Sequence, residues 1–227
     1  MSDGFLSVIT ARHCKRAFLD RPVARETLEA VLAAAAHAPS TRNAQPWSVA
    51  VLMGDARDGL SRKLCEDFDN GVPARLDYLP RPSRPDPAVE ERARAAGAGV
   101  LQAKGIARDD EAARRAHQRD NFLFYGAPVE LIFHLPADAA PGTFLELGFF
   151  IQNVMLGLVA HGLGSCPQAS VAGYADSIRA YLGFGSDRLI VCGMAVGWPD
   201  PAAPVNGFFP ERAGPADFAQ WFDRSAS

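Results

Sequence analysis

Four basic side chains lie close together near the N-terminus of the chain: Arg12, His13, Lys15 and Arg16. A dianionic phosphate needs several cationic donors, and arginine supplies a planar pair of N–H groups that fits it. A solvated basic turn would show the same spacing, since surface arginines are common. The cluster therefore indicates either a phosphate site or an exposed turn, and its spacing alone favours the turn.

A second polar stretch, residues 39–47, lies between a periodic helix and an apolar strand. Pro39 ends the helix, because it lacks an N–H group and its ring clashes with the preceding turn. The side chains that can donate and accept hydrogen bonds are those of Ser40, Thr41, Asn43 and Gln45. They suit the edge of a pyrimidine-like ring, but the same residues are typical of turn capping. A ligand-binding loop and a plain helix–strand connection both remain open, and Trp47 is expected in the core.

The glycine-containing run from Gly162 to Ala169 is predicted to be a loop. Such a loop could bring backbone N–H groups close to a planar ligand, or it could be a simple turn between helices. Cys166 lies within it, but no paired histidine is identifiable, so we interpret this cysteine as structural.

Hydrophobic periodicity predicts the regular elements that position these stretches. Helices are predicted over residues 3–13, from Arg25 to before Pro39, and over 56–69, 143–161 and 172–182. Strands are predicted over residues 48–53, 129–135 and 189–197. The tail from Pro199 is predicted to be extended and to lie on its own body or on a neighbouring subunit.

Residues 70–118 differ in composition from the rest of what we expect to be a single domain over residues 1–227. Five prolines break up the first half, and the second half is rich in Ala, Arg and Glu. This pattern predicts an irregular and then helical insertion, which is either a surface excursion or a lid over a ligand.

The helix predicted over residues 143–161 has almost no polar face. A helix that is apolar all round must be buried, and a partner subunit would bury it fully in a chain of this size. Glu146, Gln152 and Asn153 favour a buried helix over a membrane span.

Composition excludes several classes of function. The formal net charge of −3 gives no general attraction to nucleic acid. The four cysteines and five histidines show no zinc spacing, and four free thiols in a reducing cytoplasm are expected. The chain also lacks a dinucleotide-binding glycine motif, a phosphate-loop lysine motif and a nucleophile elbow.

The order of these motifs resembles the nitroreductase family of flavoproteins. That family has Arg-(Arg/His)-Ser-x-(Arg/Lys)-x-Phe, a Pro-Val-x-x-Glu helix, and then Pro-Ser-x-x-Asn-x-Gln-Pro-Trp. The matching segments here are residues 12–18, 22–26 and 39–47, followed by Gly126-Ala127-Pro128-Val129, Gln152-Asn153, residues 162–168 and residues 192–197. The Cys-Pro-Gln and Gly-Ala-Pro-Val segments look most similar to the branch that reduces nitrobenzoates.

The resemblance implies an α+β three-layer sandwich with a mainly antiparallel sheet, a strand-exchanged homodimer, and FMN at the subunit interface. It places Arg12, His13, Cys14 and Arg16 around the FMN phosphate and ribityl chain, with Arg212 on the phosphate. By the same resemblance, the residues that approach the flavin from the other subunit are Pro39, Ser40, Thr41 and Asn43. Those expected near the flavin ring are Asn121, Gln168 and Ala169.

The implied function is hydride transfer from NADH or NADPH through FMN to nitroaromatic or quinone-like small molecules, with flavin N5 rather than a side chain carrying the chemistry. Dehydrogenation of a ring, reductive dehalogenation, flavin fragmentation and a non-catalytic flavin-binding role are the alternatives. Two departures from the family pattern, Cys14 in place of serine and Phe209 in the tail, would weaken FMN retention.

Overall fold

The computed structural model of the chain describes residues 2–223, with side chains from residue 4 onward. The α-helices in that range are α1 (Ser2–Ala11), α2 (Arg25–Ala35), α3 (Gly54–Asp69), α4 (Pro87–Ala103), α5 (Glu111–Arg119), α6 (Pro141–Ala160), α7 (Ala169–Ala172), α8 (Ala175–Leu182) and α9 (Pro215–Phe218). The strands are β1 (Ser48–Met53), β2 (Val129–Pro136), β3 (Gly164–Gln168) and β4 (Arg188–Gly197).

The strands form one sheet in the order β1-β2-β4-β3, and every neighbouring pair is antiparallel. The long strands β2 and β4 occupy the centre and are buried along almost their whole length. This burial explains why their sequences are continuously apolar rather than alternating.

One face of the sheet packs against α2 and α6. Val31 of α2, Phe133 of β2 and Val154 of α6 are fully or almost fully buried there. Trp47 stacks on Phe150 with ring centroids 5.0 Å apart, so its predicted place in the core is confirmed.

The other face packs against α3, α7 and α8. Leu60 of α3 and Ile178 of α8 meet Ile132 and Ala195 of the sheet, and all four are buried. Helices therefore cover both faces of an antiparallel sheet, and the predicted α+β three-layer sandwich is confirmed.

The prediction of a loop over residues 162–169 was wrong in its main part. Residues 164–168 form β3, which pairs with β4 at the edge of the sheet. A side chain at Gly164 would come within 2.6 Å of Lys15 and 2.7 Å of Pro199, so the absence of one permits this close packing. Pro167 fits an edge strand because it has no N–H group to leave unpaired.

Other boundaries were closer to prediction. The helix predicted over residues 172–182 corresponds to α8, which begins three residues later than predicted, at Ala175. Gly173 and Tyr174 separate it from the short helix α7, and Tyr174 forms a bridge with Arg75. The tail from Pro199 is less extended than predicted, since it contains a 3₁₀ turn over Pro204–Gly207 and the short helix α9. Its last four residues, 224–227, lie outside the described range.

Helix α6 is long and apolar enough to cross a membrane by length and composition alone. Its core-facing side chains are Leu147, Phe150, Val154 and Leu158. On another face, Leu145 and Phe149 are 60% and 40% exposed. The helix is thus a core helix with an apolar face that this single chain leaves uncovered.

Glu130 of β2 lies completely buried in the sheet, and neither of its carboxyl oxygens has a hydrogen-bond partner among the described residues. A side chain added at Gly193 would come within 2.2 Å of one of those oxygens, so the carboxyl group fills the space above this glycine. Burial raises the pKa of Glu130 well above its ordinary value.

This burial predicts a pH-dependent stability. The folded state keeps a proton that the unfolded chain releases above about pH 4.5, so stability falls as pH rises through that window. Glu130→Gln removes this titration. We expect the melting temperature of the variant to rise relative to that of the wild type between pH 5 and pH 8. The expected difference is roughly 2–4 °C for each kcal/mol that the wild type loses in free energy of unfolding.

Differential scanning fluorimetry across that pH range would measure the effect. Glu66→Gln makes the same chemical change at an exposed position of α3 and should leave the profile unchanged. Parallel profiles for the wild type and Glu130→Gln would contradict a buried titrating carboxyl group.

Candidate functional site

The basic segment after α1 lies alongside β3, at the edge of the sheet. Cys14 forms a parallel bridge with Ser165, and the Lys15 N–H group donates to the Ser165 carbonyl oxygen at 3.0 Å. Further along, the Leu19 N–H group donates to the carbonyl oxygen of Trp198 at 2.9 Å. The segment is therefore held by β3 on one side and by the start of the C-terminal tail on the other.

A cavity of about 220 Å³ opens above this segment, with Cys14, Arg16 and Arg212 in its wall. Three of the predicted phosphate-site residues are thus brought together, although Arg212 is almost 200 positions away in sequence. Ala96 and Gly97 of α4 and Phe208 of the tail close the remaining sides.

The cavity is cationic. Within residues 4–223, no carboxylate lies within salt-bridge distance of Arg12, Arg16 or Arg212. The hydroxyl group of Tyr125 lies beside Arg16 and hydrogen-bonds with it. Arginines without acidic partners are what an anionic ligand would need at this place.

The thiol of Cys14 is part of the same electrostatic environment. A hydrogen bond from the Cys166 thiol lowers the pKa of Cys14 to about 6, and Arg16 and Arg12 act in the same direction against the opposing effect of burial. No sequence pattern indicates this contact, since the two cysteines are far apart in the chain.

His13 is adjacent to Cys14 in the chain, but both nitrogens of its ring contact groups of the protein. Its ring is buried, with Nδ1 2.8 Å from the Ala11 carbonyl oxygen and Nε2 2.6 Å from the Lys15 ammonium group. It also stacks at a tilt on Phe209, with ring centroids 3.7 Å apart. We therefore interpret His13 as a group that supports the tail rather than one that faces the cavity.

Asn206 was missed by sequence reasoning, although it organises this end of the site. Its Oδ1 accepts from the Arg16 N–H group at 2.8 Å, and its Nδ2 donates to the carbonyl oxygens of Ala17 at 2.7 Å and Asp200 at 2.9 Å. Its own carbonyl oxygen accepts from the Lys15 ammonium group. No local pattern marks this asparagine, because its partners Lys15, Arg16 and Ala17 lie about 190 residues earlier.

Residues 39–47 form an exposed loop on a different part of the molecule. The Thr41 N–H group donates to Glu146 near the start of α6 at 2.8 Å, and the Ser40 hydroxyl accepts from the Gln45 N–H group at 3.0 Å. Pro39, Thr41 and Asn43 are exposed and point to no cavity formed with Arg16.

The two halves of the predicted site are therefore far apart in one chain. The loop precedes β1 at one edge of the sheet, whereas Cys14 pairs beyond β3 at the other edge. Along α6, Glu146 is separated from the C-terminal end by about 14 residues, or roughly 20 Å of helix.

Two further predicted residues, Asn121 and Gln168, meet near Tyr125. Gln168 is buried, with Nε2 donating to the Asn121 carbonyl oxygen at 2.6 Å and Oε1 accepting from the Ala195 N–H group at 3.1 Å. The Tyr125 hydroxyl group lies 2.7 Å from Asn121 Oδ1. Because the amide nitrogen and the amide oxygen of Gln168 are both used internally, its side chain positions Asn121. Ala169 is exposed.

Backbone strain is concentrated in the same two regions. Arg42, Asn43 and Gln45 have φ values of 54°, 58° and 48°. Phe124 and Tyr125 both have φ values of 53°. Bulky residues in this left-handed conformation are uncommon, and strain of this kind is frequent at ligand sites.

Comparison with known proteins identifies the family. The model of the nitroreductase family matches residues 9–198. The chain belongs to the nitroreductase family. Within the part that the structure describes, no cluster of three or more metal-binding side chains occurs.

Members of the nitroreductase family that resemble this chain are similar over most of its length. Nitroreductase NfnB from Mycolicibacterium smegmatis is 36% identical over 207 residues, which cover 91% of this chain and 88% of the relative. The 4-nitrobenzoate reductase of Pseudomonas putida is 35% identical over 208 residues, covering 91% and 90% of the two chains.

A solved structure gives the same result for the fold. The FMN and NADPH-dependent nitroreductase NfnB from Sphigopyxis sp. strain HMH matches with a TM-score of 0.94 and 34% identity, covering 97% of this chain and 99% of the other.

The contacts of Asn206 predict a large effect of its removal. Asn206→Ala leaves the Arg16 backbone N–H group without its acceptor. It also removes one of two donors from each of the carbonyl oxygens of Ala17 and Asp200, so we expect the free energy of unfolding to fall by about 1–3 kcal/mol. Urea denaturation would measure this change. Asn70→Ala, at an exposed helix end, should change stability by less than about 0.5 kcal/mol. Equal effects of the two substitutions would show that Asn206 does not hold the tail.

Proposed function

We propose that this protein is an FMN-dependent oxidoreductase that passes a hydride from NADPH or NADH to nitroaromatic or quinone-like acceptors. The observation that carries the proposal is the cationic cavity of Cys14, Arg16 and Arg212, in a chain that matches an FMN and NADPH-dependent nitroreductase along almost its whole length. We also propose a cytoplasmic location, because four free cysteines are typical of proteins in a reducing compartment.

The cavity suits the phosphate end of FMN. Two arginines without acidic partners can each offer a planar pair of donors to a phosphate monoester. At about 220 Å³ the cavity is smaller than the roughly 300–1,000 Å³ of typical small-molecule sites, so the ring system would extend beyond it.

Bound FMN would supply the hydride-accepting and hydride-donating centre, and the protein would supply its binding and orientation. Arg12, Arg16 and Arg212 would hold the phosphate, with Cys14 beside them. Tyr125 and Asn121 would lie towards the ring, and the exposed backbone at Ala169 would line the same side.

The residues at the other edge of the sheet would come from a second subunit. Pro39, Ser40, Thr41 and Asn43 are too far from Arg16 to share a ligand within one chain. In a homodimer the loop of one subunit could reach the cavity of its partner, and each site would then contain residues of both chains.

Exposed apolar side chains support this homodimer. Phe5 and Leu6 of α1 are 63% and 58% exposed, and Leu145 and Phe149 of α6 are also exposed. Helices α1 and α6 contact each other, so these side chains belong to neighbouring surfaces. Exposed apolar patches of this kind are typical of subunit interfaces.

We also propose that the insertion over about residues 70–118, within the single domain of residues 1–227, forms part of the acceptor pocket. Helix α4 packs tightly on the tail, since a side chain at Gly99 would come within 2.3 Å of the Phe208 ring. Gly97 lines both the cationic cavity and a larger cavity of about 970 Å³ between α4 and α5. The insertion therefore lies where a lid over the cofactor would be needed.

The proposed activity predicts a simple spectroscopic result. The purified protein should show flavin absorbance that bleaches with NADPH or NADH under anaerobic conditions. The absorbance should return when 4-nitrobenzoate or a benzoquinone is added, because the acceptor takes the same two electrons. Absorbance that neither nucleotide bleaches would contradict the reductase and favour a flavoprotein with another donor or no turnover.

The shared site predicts complementation between two defective subunits. Arg16→Ala should weaken FMN binding by about 10–100-fold, since a hydrogen bond to a charged group contributes about 1.5–3 kcal/mol. Asn43→Gly should also weaken it while still permitting the positive φ. In a mixed dimer of the two variants, one site has both substitutions and the other has neither, so we expect one tightly bound FMN per dimer.

Differently tagged subunits would be purified as mixed dimers, and FMN binding measured by fluorescence quenching. Two substitutions are the matched controls and should leave FMN binding unchanged. They are Arg25→Ala on α2 and Arg42→Gly, in which glycine still permits the positive φ of that position. A mixed dimer that binds FMN no better than its two parents would disprove the sharing of residues between subunits.

A further inference from the structure

Two cysteine side chains that the proposed hydride transfer does not use lie against each other at the base of the cationic cavity. Cys14 is partly exposed in the cavity wall, and Cys166 is 1% exposed directly beneath it. Both pack in the same core cluster, and their strands are joined at the adjacent residue by the Cys14–Ser165 bridge. An accessible thiol thus has a buried thiol as its immediate neighbour.

The surroundings make the two thiols chemically different. Cys166 donates a hydrogen bond to Cys14, and Arg16 and Arg12 add positive charge, so the pKa of Cys14 falls to about 6. The same hydrogen bond, together with burial, raises the pKa of Cys166 well above its usual range. At neutral pH, Cys14 is therefore the thiolate and Cys166 keeps its proton.

The two other cysteines lack these features. Burial raises the pKa of Cys192 to about 12, and burial also raises the pKa of Cys65. All four cysteines are free in the structure. Only Cys14 among them combines access, positive charge and a second thiol within reach, which is the arrangement typical of redox-sensitive cysteines.

We propose that Cys14 and Cys166 form a reversible intramolecular disulfide when the protein meets a peroxide. The Cys14 thiolate attacks one oxygen of hydrogen peroxide; the O–O bond breaks, an S–O bond forms, and the sulfur loses two electrons. With one added proton the products are Cys14 sulfenic acid and water. The Cys166 thiol then attacks the Cys14 sulfur, forms the S–S bond and releases a second water.

The disulfide would change the cavity in two ways. It would remove the negative charge of the thiolate from among the arginines, and it would tie the basic segment covalently to β3. The thiol pair needs no bound flavin for either step, so this inference is independent of the proposed function.

Peptide mapping tests the proposal. The purified full-length protein is treated with hydrogen peroxide at neutral pH, alkylated with iodoacetamide after denaturation, and digested without reduction. We expect a linked peptide pair containing Cys14 and Cys166, the loss of two of the four alkylatable thiols, and recovery of both with dithiothreitol. Cys65 and Cys192 should stay alkylatable.

Variants at position 166 separate the two roles of that thiol. Cys166→Ser keeps a hydrogen-bond donor but cannot form a disulfide, so a sulfenic acid at Cys14 should accumulate and react with dimedone. Cys166→Ala loses the donor, so the midpoint pH for alkylation of Cys14 by iodoacetamide should rise. Cys65→Ala, at a buried cysteine elsewhere in the same core, should leave the linked peptide unchanged.

Three results would overturn the proposal. They are full alkylation of both Cys14 and Cys166 after peroxide, linkage only between subunits, and no dimedone adduct at Cys14 in Cys166→Ser. The number of free thiols is measured without any flavin signal, so a negative result would contradict the disulfide and would not bear on flavin binding or reduction.

Discussion

The two ends of the chain are joined by buried hydrogen bonds, and the geometry of the site depends on this contact. Asn206 Oδ1 accepts from the Arg16 N–H group at 2.8 Å, while Arg16 itself lies in the cavity wall. A buried amide that lost this partner would carry the full cost of its desolvation. The contact thereby fixes the basic segment between β3 and the tail, and brings Arg212 to the same cavity.

The sheet separates the two motifs that the sequence predicts to form one site. The loop of residues 39–47 precedes one edge strand, and Cys14 pairs at the opposite edge. A single chain therefore has a cationic cavity and a polar loop that cannot meet. The exposed apolar faces of α1 and α6 fit the proposed homodimer, in which a second copy would cover the faces and complete the site.

The same apolar core has opposite effects on neighbouring ionisable groups. Burial keeps Glu130 and Cys192 in their neutral forms, because for both groups the cost of lost hydration outweighs any stabilisation of the charged form by neighbouring groups. Cys14 is also partly buried, yet the hydrogen bond from Cys166 and the charge of two arginines outweigh desolvation and favour the thiolate. Local partners rather than depth of burial decide which group carries charge here.

The sequence by itself determined the elements whose signals are local. The strand at Ser48–Met53 was predicted at its observed bounds, and β2 differs from its prediction by one residue, because both are apolar runs ended by Gly or Pro. The cationic character of residues 12–16 was equally visible. Only the tertiary structure decided that residues 164–168 form a strand, that Asn206 holds Arg16, and that Cys14 contacts Cys166. Each of these depends on partners from about 25 to about 190 residues away in sequence, and no periodicity or turn chemistry encodes such pairings.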